Sequence, residues 1–291
     1  MASTYEVITD RIIKQLENGV APWRKPWKAS GEPANLISQK EYRGINWLLL
    51  SCAKYQSRYW LTFNQAKELG AFVKKGEHGF PVVFYKQFDK KDKENEETDT
   101  PDTDKPSFML RYYTVFNLDQ IEGLPEKTLA MIRKAETAGV PFEPLTACEE
   151  IVDAYEDKPP ISFGGGRAFY RPSNDTIGMP AKDSFISPPE YYSTLFHELA
   201  HSTGAQKRLG RFDPHDDAHF GSVSYSREEL VAEMTAAFLC GKANIETATL
   251  ENSAAYCDGW IKRLKGDSKL VVHAAGAAQK AADYILGVHR N

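Results

Sequence analysis

The stretch from Thr194 to Gly204, "TLFHELAHSTG", is the feature that most constrains how this chain can fold. Histidines at positions i and i+4 of an α-helix project from one face about 40° apart, so His197 and His201 can hold one metal ion. Glu198 lies beside them and can accept a proton from a water that the ion activates. The alternative is a surface helix that carries these polar residues by chance. The spacing predicts a metal-binding helix of the kind found in zinc peptidases.

A second helical stretch, "YSREELVAEMTAAFL", supplies candidates for the third ligand that a catalytic zinc ion needs. Glu229 and Glu233 are four residues apart and share a face with small apolar residues, which predicts that both point inward. A buried acid needs a cation, so we assign Glu229 as a metal ligand. Glu233 is predicted to orient a ligand histidine through its other ring nitrogen, and Glu228 to be solvated. The alternative is that all three acids lie on a hydrated face.

The elements around these two helices are predicted from turn residues and periodicity. Strands are expected at Ala168–Arg171 and Thr176–Met179, and helices at Pro188–Thr203, Ser226–Cys240 and Ser268–Leu286. An edge strand beside such a site can pair with an extended peptide. His215, His219 and Tyr225 are candidates for oxyanion stabilisation, each with a surface or structural role as the alternative. His215 and His219, together with Asp216 and Asp217, leave a metal-dependent nuclease as a further hypothesis for the function.

The composition limits the class of protein. With 291 residues, 42% of them hydrophobic, the chain can form one large domain or two ordinary ones. No run of about 18 apolar residues occurs and the N-terminus lacks the pattern of a secretory signal, so we expect a cytoplasmic protein with no membrane partner. The four cysteines form no CxxC pair, which argues against a disulfide framework and against a cysteine zinc site.

The N-terminal part is basic and rich in aromatic residues. Residues 1–86 contain 13 Lys and Arg against 7 Asp and Glu. Rings interleaved with cations suit single-stranded DNA, because bases stack on the rings and cations follow the phosphates. Buried core tryptophans and a solvated basic turn are the alternatives. The predicted DNA-binding residues are Trp23, Arg24, Lys25, Trp27, Lys28, Tyr42, Arg43, Arg58, Tyr59, Lys74 and Lys75.

The same part is predicted to contain three helices and a hairpin. Helices are expected within residues 4–19, 43–55 and 62–70, and the hairpin strands at Phe80–Phe88 and Ser107–Leu118. Residues 89–106 between the strands are acidic and lack apolar side chains, so they are predicted to form a disordered loop. We expect a DNA-binding domain over residues 1–125, a helical linker region over 126–150 and a metal-site domain over 151–291.

Several stretches resemble a known family. The segments "GVAPWRKPW", "YRGINWLLL", "YWLTFNQAKELGAFVKKGEHGFPVVFY" and "YYTVFNLDQIEGL" resemble the N-terminal domain of ArdC antirestriction proteins and TraC-type plasmid primases. The segments "FYRPSNDTIGMP", "YYSTLFHELAHSTG" and "REELVAEMTAAFL" resemble the zincin-like metallopeptidase domain of ArdC proteins. The resemblance implies a plasmid-encoded protein that binds single-stranded DNA during conjugation and shields incoming DNA from host restriction. It also implies metal ligation by His197, His201 and Glu229, with Glu198 as the catalytic glutamate.

We therefore predict an α+β protein of two domains. The first is an α/β single-stranded DNA-binding domain, and the second is a gluzincin-like domain with a small sheet and an HExxH helix. The expected cofactor is Zn²⁺, with Mn²⁺ or another divalent ion as the alternative, and the expected activity is that of a metallopeptidase. A host restriction or DNA-associated protein is the expected target. The rival hypothesis is a DNA-binding protection protein whose metal is structural and takes no part in protection.

Overall fold

The computed structural model describes residues 3–18, 21, 32–51, 53, 55, 57–88, 107–137, 144–164, 167–185, 187–212, 223–245 and 254–288. The predicted disordered loop at 89–106 lies outside these residues. Among the helices that are described, none is both long and apolar enough to cross a membrane.

The described chain alternates helices and strands in an α+β arrangement, as predicted. The helices are α1 (Thr4–Glu17), α2 (Ile45–Ser51), α3 (Phe63–Glu68), α4 (Glu126–Thr137), α5 (Pro144–Ala154), α6 (Pro188–Ser202), α7 (Val223–Lys242), α8 (Ala254–Gly266) and α9 (Leu270–Ile285). The strands are β1 (Ala34–Asn35), β2 (Tyr59–Thr62), β3 (Phe72–Val73), β4 (Phe80–Phe88), β5 (Ser107–Asn117), β6 (Ile121–Glu122), β7 (Ile161–Phe163), β8 (Phe169–Arg171) and β9 (Thr176–Met179).

The N-terminal sheet has the strand order β1-β2-β5-β4. The predicted hairpin is confirmed: β4 and β5 are antiparallel, with Phe80 opposite Val115 and Phe88 opposite Ser107. Strand β4 lies at the edge of this sheet, where the Asn46 side chain covers its backbone. The Asn46 amide donates to the Val83 carbonyl at 2.8 Å and accepts from the Val83 N–H at 2.7 Å. These two bonds fix α2 against the edge of the sheet.

The C-terminal sheet is small and has the strand order β7-β9-β8. The two predicted strands, β8 and β9, form an antiparallel pair with Tyr170 opposite Ile177. The sequence prediction missed β7, which pairs with β9 in parallel. Strand β8 is therefore an edge strand, and it lies against α6.

Helix α1 joins the core of the C-terminal helices although it comes first in the sequence. Its N-terminus is fixed by a capping box in which Ser3 and Glu6 bond each other's backbone N–H. Its apolar stripe, with Ile8, Ile12 and Leu16 almost fully buried, belongs to one hydrophobic cluster with residues of α2 and α5 to α9. The amphipathic pattern of α1 was predicted correctly, but the pattern alone does not identify the partner surface.

A second cluster forms the core between β1, β2 and α3. It includes Ile132 of α4, whereas Cys148 and Ile151 of α5 belong to the large cluster. The chain thus passes from one core to the other between α4 and α5, inside the region predicted as a linker. The domain limits at residues 125 and 150 stay predictions.

Substituting Ile12 with alanine should destabilise the whole chain, because the side chain is 1% exposed in the large cluster. We expect the free energy of unfolding to fall by about 2–5 kcal/mol. Chemical denaturation monitored by tryptophan fluorescence measures this loss. The control is Lys14→Ala on the exposed face of the same helix, which should change stability little. A small effect of Ile12→Ala would contradict the assignment of α1 to this core.

Candidate metal centre

Helix α6 is held in one orientation by its cap and its buried face. The Ser187 hydroxyl accepts from the Glu190 backbone N–H at 3.4 Å, and prolines occupy the first helical positions, where no donor is needed. Phe196 and Leu199 are fully buried on the inner side of the helix. Their packing sets the rotation of α6 and therefore the direction in which its two histidines point.

His197 and His201 lie one turn apart on α6 and point to the same place. Their Nε2 atoms are 3.0 Å apart and their rings meet edge to face. Both side chains are only partly exposed, at 25% and 15%. The structure thus brings together the two histidines as the sequence spacing predicts.

Glu229 of α7 completes the cluster. One carboxylate oxygen lies 3.6 Å from Nε2 of His197, and the other lies 3.5 Å from Nε2 of His201. Within the described part of the chain, these three side chains form the one group of metal-ligating residues whose donor atoms all lie close enough to share an ion. The predicted ligand set is therefore together in space.

The spacing of the donor atoms fits a divalent ion. Two ligands at 2.0–2.1 Å from a tetrahedral zinc ion lie about 3.3 Å from each other. The separations of 3.0, 3.5 and 3.6 Å between the donor atoms bracket this value. Two imidazoles and one carboxylate are also a donor set that suits zinc and related ions. Three protein ligands leave a coordination position open.

Glu198 lies beside the two histidines and is 7% exposed. Burial raises the pKa of its carboxyl, and the nearby Glu229 raises it further, while His201 and the backbone N–H of Tyr170 lower it. The Tyr170 N–H belongs to the edge strand β8, so this strand contacts the glutamate directly. A carboxylate with a raised pKa is suited to accept a proton near neutral pH.

An ion pair between a buried arginine and a partly exposed aspartate fixes the turn between β8 and β9 beside the site. Arg208 donates to the Asp175 carboxylate at 2.6 and 2.9 Å, and the Tyr170 hydroxyl donates to it at 2.8 Å. The guanidinium holds the pKa of Asp175 well below its ordinary value, although burial opposes this. Since Arg208 follows α6 in the chain, the pair couples the edge strand to the end of the metal-site helix.

The predicted solvation of Glu228 is wrong. Its side chain is 17% exposed, pairs with Arg211 at 2.7 Å and lies 3.5 Å from Nδ1 of His201. Burial alone would lower the pKa of His201, but Glu228 and Glu229 together raise it. Glu228 thus takes the place at the second ring nitrogen of His201 that was predicted for Glu233. A contact of Glu233 with the other ligand histidine stays a prediction.

The predicted DNA-binding residues fall into different environments. Arg43 pairs with Asp283 of α9, so it holds α2 in place and its guanidinium is engaged within the protein. Tyr59 is 4% exposed in the second core, which leaves no open ring face for a base, and we withdraw it from the DNA-binding set. Tyr42 packs partly buried against the small core around Trp60, and its hydroxyl is buried.

The remaining predicted residues of this set differ in accessibility. Arg58 lies 3.6 Å from Glu41 and stacks over the Tyr59 ring. Lys74 donates to the Asp119 carbonyl at 2.8 Å, whereas Lys75 is exposed. Several candidates lie outside the described residues: Trp23, Arg24, Lys25, Trp27, Lys28, His215, Asp216, Asp217, His219 and the side chain of Tyr225.

The structure adds an exposed aromatic pair that the sequence interpretation missed. Phe84 and Tyr113 are 43% and 40% exposed on adjacent strands of the N-terminal sheet, with ring centroids 5.8 Å apart. Arg111 is exposed and lies directly opposite Phe84, on the same face. Alternation along "VVFY" and "LRYYTV" could have placed these side chains on one face, but it does not show which part of that face is left uncovered.

Two known families match this chain over adjacent regions. Residues 2–116 match the N-terminal domain of anti-restriction factor ArdC. Residues 147–277 match a zincin-like metallopeptidase domain. These matches confirm the predicted two-domain α+β fold with a zincin-like C-terminal domain.

Solved structures of the antirestriction ArdC protein from plasmid R388 are similar to this chain throughout. The Mn(II)-bound structure is 35% identical with a TM-score of 0.76, and the alignment covers 98% of this chain and 97% of that chain. The metal-free structure is 37% identical with a TM-score of 0.73 and the same coverage.

Curated relatives also match over nearly the whole chain. The protein y4eC from Sinorhizobium fredii, itself uncharacterized, is 33% identical over 97% of this chain and 91% of its own length. Two DNA primases TraC from Escherichia coli are each 37% identical over 97% of this chain. This chain spans only 27% and 20% of the lengths of those two primases.

Addition of Mn²⁺ or Zn²⁺ should raise the unfolding temperature of the full chain, because an ion that binds only the folded state stabilises it. At a free ion concentration 100 times the Kd, we expect about 2.7 kcal/mol of stabilisation. Differential scanning calorimetry with and without a chelator measures the shift. His197→Ala, His201→Ala and Glu229→Ala should each abolish most of it, whereas the exposed-site control Glu150→Gln should keep it. A shift that persists in all three alanine variants would contradict this ligand set.

Proposed function

Because this chain belongs to the family of ArdC antirestriction proteins, we propose that it protects incoming plasmid DNA from host restriction by joining single-stranded DNA binding to a metal-dependent peptidase site. The observation that carries the second part is the convergence of His197, His201 and Glu229 beside the buried Glu198. The proposed peptide substrate is a host restriction protein or another DNA-associated protein. We propose Zn²⁺ as the ion in the cell, with Mn²⁺ as the alternative.

The proposed chemistry assigns a distinct task to each residue. His197, His201 and Glu229 would hold a divalent ion, which when bound supplies Lewis-acid polarisation of a carbonyl and of water. Glu198 would accept the proton of the attacking water and pass it to the leaving amine, a role supported by its burial and raised pKa. The edge strand β8 would align an extended peptide by backbone hydrogen bonds, since it lies against the helix that carries these residues.

Glu198→Gln should separate metal binding from catalysis. Glutamine keeps the size of the side chain but cannot accept the proton, so we expect Mn²⁺ binding within a fewfold of wild type. Protection of the incoming plasmid should fall to the level seen when the protein is absent. The measurement is the transfer frequency of an unmodified plasmid into a restricting host. Glu150→Gln, on an exposed face of α5, is the matched control and should protect fully. Undiminished protection by Glu198→Gln would show that hydrolysis is not the route, and would favour a structural metal.

The proposed DNA surface lies on the N-terminal sheet around Phe84, Tyr113 and Arg111. Exposed rings on one face of a sheet offer stacking surfaces to bases of any sequence, and an adjacent guanidinium can meet a phosphate. Of the cations in the sequence prediction, the exposed Lys75 remains available to support this binding, whereas Arg58 is partly exposed and pairs with Glu41. Arg43 is excluded because Asp283 engages it.

Phe84→Ala and Tyr113→Ala should each weaken binding of a fluorescent oligothymidine by about tenfold, since stacking on one ring contributes about 1–3 kcal/mol per base. Fluorescence anisotropy at several salt concentrations measures both the affinity and its salt dependence. Phe163→Ala removes a ring that is 57% exposed on the C-terminal sheet and serves as the control, with no expected change. If Phe84→Ala and Tyr113→Ala bound like wild type, the DNA surface would have to lie elsewhere.

A further inference from the structure

Behind the candidate metal centre, Arg211 and Glu228 form a largely enclosed ion pair. The Arg211 Nε atom donates to one Glu228 oxygen at 3.0 Å, and a terminal nitrogen donates to the other at 2.7 Å. Each of these two side chains is at most 17% exposed. The two parallel bonds use the rigid fork of the guanidinium, which holds the carboxylate in one orientation.

The same arginine also closes the end of α6. It donates to the Thr203 hydroxyl at 2.8 Å and to the Ala200 carbonyl at 3.0 Å. The Thr203 hydroxyl itself donates to the Ala200 carbonyl at 2.7 Å, so Arg211 joins a hydrogen-bonded group that already ends the helix. Arg211 therefore connects the C-terminal end of α6 to the beginning of α7, the two helices that carry the candidate metal ligands.

Glu228 in turn reaches the ring of His201 on the side away from the candidate ion. One of its oxygens is 3.5 Å from Nδ1, while Nε2 of the same ring faces Glu229. A carboxylate at the second nitrogen of a ligand histidine selects the tautomer with a proton on Nδ1 and leaves the Nε2 lone pair for the ion. A carboxylate in this position also limits rotation of the ring.

This arrangement distinguishes two adjacent glutamates by their partners. Both oxygens of Glu228 are engaged by Arg211, so the arginine compensates its charge. Glu229 instead presents its oxygens to the two histidine Nε2 atoms. A buried carboxylate is stable only with a cationic or hydrogen-bonding partner. Arg211 supplies that partner for Glu228, and the ion would supply it for Glu229.

We propose that Arg211 and Glu228 are a positioning pair for the metal site, in which Arg211 orients Glu228 and Glu228 orients His201. The inference rests on the proposed metal site. It differs from a purely structural link between α6 and α7. Such a link would affect the stability of the metal-free chain but not the affinity of the folded chain for an ion.

The test is isothermal titration of the full chain with Mn²⁺ for wild type, Glu228→Gln and Arg211→Met. We expect each substitution to weaken Mn²⁺ binding by about 10–100-fold, the usual effect of losing a partner of a ligand histidine. The double variant should bind Mn²⁺ no more weakly than the single variant with the lower Mn²⁺ affinity, since both residues act through His201. The controls are Glu150→Gln and Arg227→Met, both exposed, which should bind like wild type.

The unfolding temperature of each metal-free variant is measured in parallel. A lower unfolding temperature with unchanged Mn²⁺ affinity would show that the pair only links the two helices, and would overturn the inference. If Arg211→Met did not fold, Glu228→Gln alone would decide, because glutamine keeps the shape of the side chain and a hydrogen bond to Arg211. A wild-type chain that binds no Mn²⁺ would overturn the metal site itself, which separates that failure from failure of the pair.

Discussion

The packing of α7 between α6 and α9 is the interaction on which the candidate site depends. From Leu230 to Cys240, every residue of α7 except Glu233 is buried, as expected of a helix that is enclosed by others. Its Leu230 and Met234 are fully buried, and α9 presents small residues such as Ala274 and Ala278 that are also fully buried. Small side chains allow helix axes to approach closely. This packing fixes Glu229 opposite the two histidines, and a change in the depth or rotation of α7 would separate the ligands.

The site also depends on how the fold accommodates several acids in little space. Burial lowers the pKa of His201, whereas Glu228, Glu229 and Glu198, which all lie around it, raise it. Unpaired carboxylates at this density would repel each other and resist burial. Arg211 compensates Glu228, and the backbone N–H of Tyr170 stabilises Glu198. The Glu229 carboxylate lies beside the two Nε2 atoms, and its negative charge together with their lone pairs would attract a divalent cation.

Residues close in sequence were sufficient to predict the elements whose pattern fits only one kind of structure. The histidine spacing, the α6 and α7 periodicity and the β4–β5 hairpin could all be predicted from residues close in sequence. The partner of α1 could not, because an amphipathic stripe shows that a face is buried but not against what. Glu228 was misassigned for a similar reason: its position on an isolated helix is outward, but the segment after α6 returns with Arg211 and covers it. Helix α8 and strands β1 and β2 are short or weakly periodic, and the prediction missed them.

In the proposed site, side chains from two helices share one metal ion. The most direct measurement is anomalous X-ray diffraction from crystals of the full chain grown with Mn²⁺. We expect a single strong peak within bonding distance of Nε2 of His197, Nε2 of His201 and the Glu229 carboxylate, with Glu228 bound to Arg211 and outside the coordination shell. A peak located elsewhere, or one coordinated by Glu228 in place of Glu229, would contradict it.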